Sequence, residues 1–121
     1  AYPGEEQQIL VHSSTQNPTE IQALVAEMLG VGMHQVICYC KRMGGAFGGK
    51  ESQAAIPAMM AALVASQTGR AARVVYGREQ DMASTGKRHE VLTRWSVGFD
   101  EEGRIEVLSA DLFSNGGSST D

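Results

Sequence analysis

The stretch that most constrains this chain is KRMGGAFGGKES, Lys41 to Ser52. Gly44, Gly45, Gly48 and Gly49 crowd into it, directly after the β-rich run QVICYCK and ahead of the apolar run AAIPAMMAALVA. Strand, glycine loop, helix is a device in which bare main chain turns sharply and approaches a ligand, with no Cβ in the way. Amides near the start of the following helix favour negative charge there. From Gly44 the spacing is G-x-x-x-x-G-K, a phosphate-binding P-loop in every position but the last. That last position calls for a Ser or Thr hydroxyl, and here it is Glu51. A Walker-B acid is missing too, since VLSADLF sets Asp111 inside an alternating strand. A nucleotide-hydrolysing site therefore fits poorly. A ligand loop and a turn built for tight packing alone both stay open, and Phe47 at the apex either plugs a core or packs on a flat ligand.

Around the loop, periodicity predicts an α+β domain with a mixed sheet and two helices, in the order β-α-β-α-β-β-β. QQILVHSS suits a short strand. Asn17 and Pro18 form a cap and first-turn pair, followed by Ile21, Leu24, Val25, Met28 and Leu29 at helical spacing, with Gly30 and Gly32 as the stop. In QVICYCK, Val36, Cys38 and Cys40 share one face and Ile37 and Tyr39 the other, which predicts a strand covered on both sides. SQAAIPAMMAALVASQTG reads as a helix apolar nearly all round, hence buried, with Pro57 either close to its start or at a kink. RVVYG predicts a further strand, and REQDMAST a polar turn or short helix. HEVLTRWSVGFD and RIEVLSADLFSN alternate around Glu101, Glu102 and Gly103, a hairpin signal.

The chain has 121 residues, enough for one domain, and a net charge of −4, which supplies no basic footprint for nucleic acid or an anionic membrane. Cys38 and Cys40 are too close for a good disulfide and have no second pair, so a reducing, cytoplasmic setting is expected, with core packing rather than metal binding as their role. His12, His34 and His89 lack metal-ligand spacing, and Ser13, Ser14 and Thr15 form no arguable Ser-His-Asp set. Glu51 is the carboxylate of interest. Placed after a buried-looking loop it would lose water, which raises a carboxyl pKa; as an ordinary residue at a helix N-terminus it would only complement the dipole. The opening AYPGEEQQ and the polar close SNGGSSTD are expected of a piece of one domain, 1–121, cut at both ends, whose open sheet edges invite self-association.

SSTQNPTEIQALVAEMLG, CKRMGGAFGGKESQ, TGRAARVVYGREQDMASTGKRHE and VGFDEEGRIEVLSADLFSNGG, in that order, resemble the molybdenum-binding subunit of the xanthine dehydrogenases, members of the molybdenum hydroxylases. The resemblance implies oxidation of hypoxanthine- or xanthine-type purines with water as oxygen source, at a molybdenum held by molybdopterin. It further implies iron–sulfur clusters and FAD on other domains or subunits, and NAD as acceptor. Carried over by position, Gln16 of STQN matches the glutamine that bonds the metal's apical oxo group. Gly44, Gly45, Phe47 and Gly48 match the loop against the metal–pterin site, and Glu51 matches the glutamate that contacts the purine. Ala46 stands where many members have a third glycine. The family's base glutamate and substrate-clamping arginine fall in later sequence, so no catalytic residue is expected in this segment, and the segment alone is expected to be inactive. Two other readings are a small phosphate- or nucleotide-binding domain and a non-catalytic assembly module of the same fold.

Overall fold

A computed structural model describes residues 1–118; the last residues of the polar close, 119–121, lie outside the described part. The chain divides into two compact units, Ala1–Gly86 and Lys87–Asp121.

The first unit is built on a three-stranded sheet of β1 (Tyr2–Pro3), β2 (Ile9–His12) and β3 (Val36–Tyr39), in that spatial order. β1 runs antiparallel to β2 and β2 parallel to β3, so the sheet is mixed. The parallel pair needs a crossover, and helix α1 (Pro18–Leu29) supplies it. Its sequence signals operate as expected. Asn17 Oδ1 accepts from the Glu20 amide at 3.2 Å, Pro18 opens the first turn, and Gly30 closes the helix at φ 68. Ile21 and Val25 then reach the core from one face of the helix, and fully burying a side chain of that size contributes about 1.5–3 kcal/mol.

Helix α2 (Ala55–Thr68) departs from expectation. Its buried face is a stripe of alanines, Ala55, Ala58, Ala61, Ala62 and Ala65, while Ile56, Met60, Leu63 and Val64 are exposed. Methyl groups let the helix lie close on β1, β2 and α1; the bulkier residues would hold it off. Pro57 falls in the first turn, where its missing N–H costs nothing, and no kink is needed. The core is thus Ile9, Val11 and Val36 of the sheet against Ile21, Val25 and Ala26 of α1 and the small residues of α2.

Two further readings are corrected. β3 is not covered on both sides: Val36 and Cys38 face the core, whereas Tyr39 is exposed and stacks on His12, which stacks in turn on Tyr2. RVVYG forms no strand. Its segment meets β1's end only where Ala72 and Ala1 exchange two hydrogen bonds, of 2.9 and 2.8 Å, and a ladder needs more partners than one residue. REQDMAST becomes a short helix, α3 (Arg78–Ser84), making three helices rather than two.

The second unit is an antiparallel hairpin of β4 (Glu90–Phe99) and β5 (Ile105–Asn115). Its turn is closed by Asp100, whose amide donates to the Arg104 carbonyl at 3.0 Å and whose carboxylate accepts from the Arg104 amide at 2.8 Å. Gly103 supplies φ 81. Trp95 lies opposite Ala110, and Arg94 sits over the Phe113 ring. Among the described residues no helix is long and apolar enough to cross a membrane.

Candidate functional site

The glycine loop leaves β3 and returns against the β2–α1 connection. Between Gly44 and Gly48 its backbone is left-handed at four positions: Gly44 (φ 80), Gly45 (φ 138), Phe47 (φ 54) and Gly48 (φ 88). Glycine takes these angles at little cost; a bulky residue there costs on the order of 1–3 kcal/mol. Phe47 takes one nonetheless, and its ring is 84% exposed. Of the two roles open to Phe47, plugging a core is therefore excluded within this unit. Gly45 has a second constraint, because a Cβ there would lie 3.3 Å from the Phe47 ring.

At its far end the loop is tied down through Lys50. The Lys50 carbonyl accepts from the Gln16 amide at 2.8 Å and from Thr15 Oγ1 at 3.1 Å. The Lys50 amide donates to Gln16 Oε1 at 3.3 Å. Lys50 Nζ donates to the Met43 carbonyl at 2.6 Å and to Ser14 Oγ at 2.8 Å. Thr15 is 1% exposed and fully satisfied, since its hydroxyl also accepts from the Asn17 amide at 3.0 Å. From sequence, Ser14 and Thr15 are hydroxyls in no arguable catalytic set, and Lys50 ends a P-loop-like spacing that fits a phosphate site poorly. The bonds that join Ser14 and Thr15 to the glycine loop span 29 to 36 residues, and no local pattern signals such pairs.

One consequence is chemical. A backbone N–H can only be met by the oxygen of a side-chain amide, so the Lys50 amide fixes which way round Gln16 sits. Its NH2 end is left as a pure donor. Glu51 follows Lys50 in the turn, and its carboxylate is exposed. The burial expected of a position after a buried-looking loop is absent in this unit.

The loop does not behave as a P-loop. Its lysine ammonium is engaged with the loop's own carbonyl, and the helix starts only at Ala55 rather than at the lysine. Gln16, Phe47 and Glu51 are not among the walls of the unit's hollow at the end of β2. The walls of that hollow, of about 680 Å³, are the end of β2 at His12, Ser13 and Ser14, the loop's Ala46, Gly49 and Lys50, the alanines of α2, and Arg73. Beside it, desolvation between two tyrosine rings, with the positive Lys41 and chain-terminal ammonium groups, lowers the His12 pKa. Burial, and Cys40 nearby, push the Cys38 thiol up.

An exposed main-chain surface, an exposed aromatic and a side-chain amide oriented as a donor suit a flat heterocycle bearing acceptor oxygens. Comparison with known proteins shows the family. The model of the molybdopterin cofactor-binding domain matches residues 1–121. The chain is 44% identical to a xanthine dehydrogenase of Dictyostelium discoideum and 46% identical to aldehyde oxidase 1 of Oryctolagus cuniculus, each over 98% of the chain. It is 43% identical to a nicotinate hydroxylase of Emericella nidulans over 92% of the chain. It spans only 8–9% of the length of these relatives. The chain belongs to the molybdopterin cofactor-binding domain family, found in the molybdenum hydroxylases.

Proposed function

We propose that this chain forms the glycine-loop wall of a molybdenum–pterin site in a hydroxylase that acts on hypoxanthine- or xanthine-type purines. The observation that carries this reading is the fixed orientation of Gln16, whose Oε1 is held by the Lys50 amide. Its NH2 is then a pure donor, suited to an oxygen ligand of the metal and unsuited to a cation. Gly44, Gly45 and Gly48 let the main chain press on the cofactor, and Phe47 places its strained backbone and exposed ring at the apex. When bound, the molybdenum cofactor supplies the two-electron oxidation that no side chain here can perform. Electrons would leave through iron–sulfur and FAD modules to NAD on other domains or subunits, so the chain alone is inactive.

Glu51 decides the substrate class. A carboxylate here finds partners in the ring N–H groups of a purine, and a plain aldehyde would leave it unpaired. Relatives named xanthine dehydrogenase, aldehyde oxidase and nicotinate hydroxylase match at 39–46% with overlapping values, so overall similarity does not discriminate among them and this one side chain is the better guide. In the full-length protein, Glu51→Val lowers kcat/KM for xanthine by about 2–4 kcal/mol, roughly 30- to 1000-fold, and spares small aldehydes. Equal turnover of xanthine by the variant and the parent rules out the purine assignment.

A further inference from the structure

We propose that Lys50 is a positioning residue whose ammonium clasps the two ends of the glycine loop, holding its strained apex and the Gln16 amide in working geometry. The proposal rests on the reading that Gln16 and Phe47 face the cofactor. Met43 immediately precedes the first loop glycine and Lys50 immediately follows the last. Lys50 Nζ spans them, at 2.6 Å from the Met43 carbonyl. Ser14 completes a triangle, accepting from Nζ at 2.8 Å while its own hydroxyl donates to the same carbonyl at 3.0 Å. Hydrogen bonds from an ammonium are about twice as strong as neutral ones, and here the bond closes a short loop.

The enclosed segment gains from such closure. Gly44, Gly45, Phe47 and Gly48 all have positive φ, and within the turn the Gly49 amide donates to the Ala46 carbonyl at 2.9 Å. Free ends would let Phe47 relax to an ordinary backbone angle. The same residue's amide and carbonyl hold Gln16 and Thr15. Anchoring the side chain therefore anchors the peptide group that orients the catalytic-site amide. This explains why a lysine follows the glycines although its charge is not directed at a phosphate: it closes the loop on itself.

The test uses the full-length protein with Lys50→Met, Lys50→Arg and Ser14→Ala. Amide hydrogen exchange of residues 43–51 is followed in cofactor-free protein, and molybdenum content, kcat and KM in loaded protein. In Lys50→Met, exchange of the loop rises about tenfold or more, the protection one charge-assisted bond provides, while peptides from α1 stay unchanged. kcat falls with little change in KM, because a misaligned donor is felt mainly in the transition state. Lys50→Arg restores loop protection at least in part, and Ser14→Ala gives a smaller rise; these two keep the question open to decision if Lys50→Met fails to fold. Loop exchange in Lys50→Met equal to that of the parent overturns the clasp. Faster exchange with unchanged kcat and molybdenum content upholds the clasp and contradicts the placement of Gln16 at the cofactor, so the two failures are told apart.

Discussion

The two ends of the glycine loop and its apex follow opposite rules. At the ends, Met43 and Lys50 are held by hydrogen bonds to each other and to Ser14, Thr15 and Gln16, with Thr15 wholly buried. At the apex, four of the five residues from Gly44 to Gly48 have left-handed backbone, and the phenylalanine among them is exposed. A loop serving tight packing alone would bury its large residue and exploit its glycines to bring elements together. This one has a network of hydrogen bonds at its base and carries its large residue exposed at the apex. The difference teaches that the strain is supported from below so that the apex can meet something outside this unit.

That contrast can be broken from either side, and the largest effect belongs at the apex. Gly45→Val puts a branched side chain at φ 138 and 3.3 Å from the Phe47 ring. Molybdenum and pterin content of the purified full-length protein should fall by more than about tenfold, since strain of 1–3 kcal/mol is joined by a clash. At the base the effect is on stability. Thr15→Val keeps the shape but strands the Asn17 amide and removes one bond to the Lys50 carbonyl. A loss of about 1–3 kcal/mol in urea unfolding is expected.

Phe47→Gly sharpens the comparison because its two readouts should move apart. Relief of the left-handed penalty, less the extra chain entropy of glycine, raises stability by about 0.5 kcal/mol, while cofactor content and turnover fall. The smallest effect lies away from the loop, on the exposed sheet face. The His12 pKa is lowered from its ordinary value of 6.5 by desolvation, then by Lys41 and the chain-terminal ammonium. The folded state therefore resists protonation. Its contribution to stability is complete above about pH 6.5 and is lost as pH falls from there through the depressed folded value. His12→Phe keeps a ring between Tyr2 and Tyr39 and should flatten that part of the pH profile of the unfolding midpoint.

Where local signals decide structure, the sequence was legible. Asn17, Pro18 and Gly30 bound α1 as their chemistry requires, and Glu101–Gly103 falls in the hairpin turn. The α2 faces were not, because a helix apolar on every side carries no information about which side is buried; the contest between alanine and isoleucine was settled by how closely β2 and α1 could approach. RVVYG looked like a strand on composition, yet strands are made by partners. The role of Lys50 was hidden for a related reason. Its local pattern, G-x-x-x-x-G-K, resembles a phosphate loop and carries no sign of Ser14, a partner 36 residues away.

The central claim is tested most directly by an experimental structure of the full-length protein with its cofactor bound. The account predicts Gln16 Nε2 about 3 Å from an oxygen bound to the metal, with Oε1 still on the Lys50 amide and the Phe47–Gly48 main chain in van der Waals contact with the cofactor. A cofactor seated instead in the hollow of His12, Ser13 and Arg73, with the Gln16 amide turned away from it, would contradict the account.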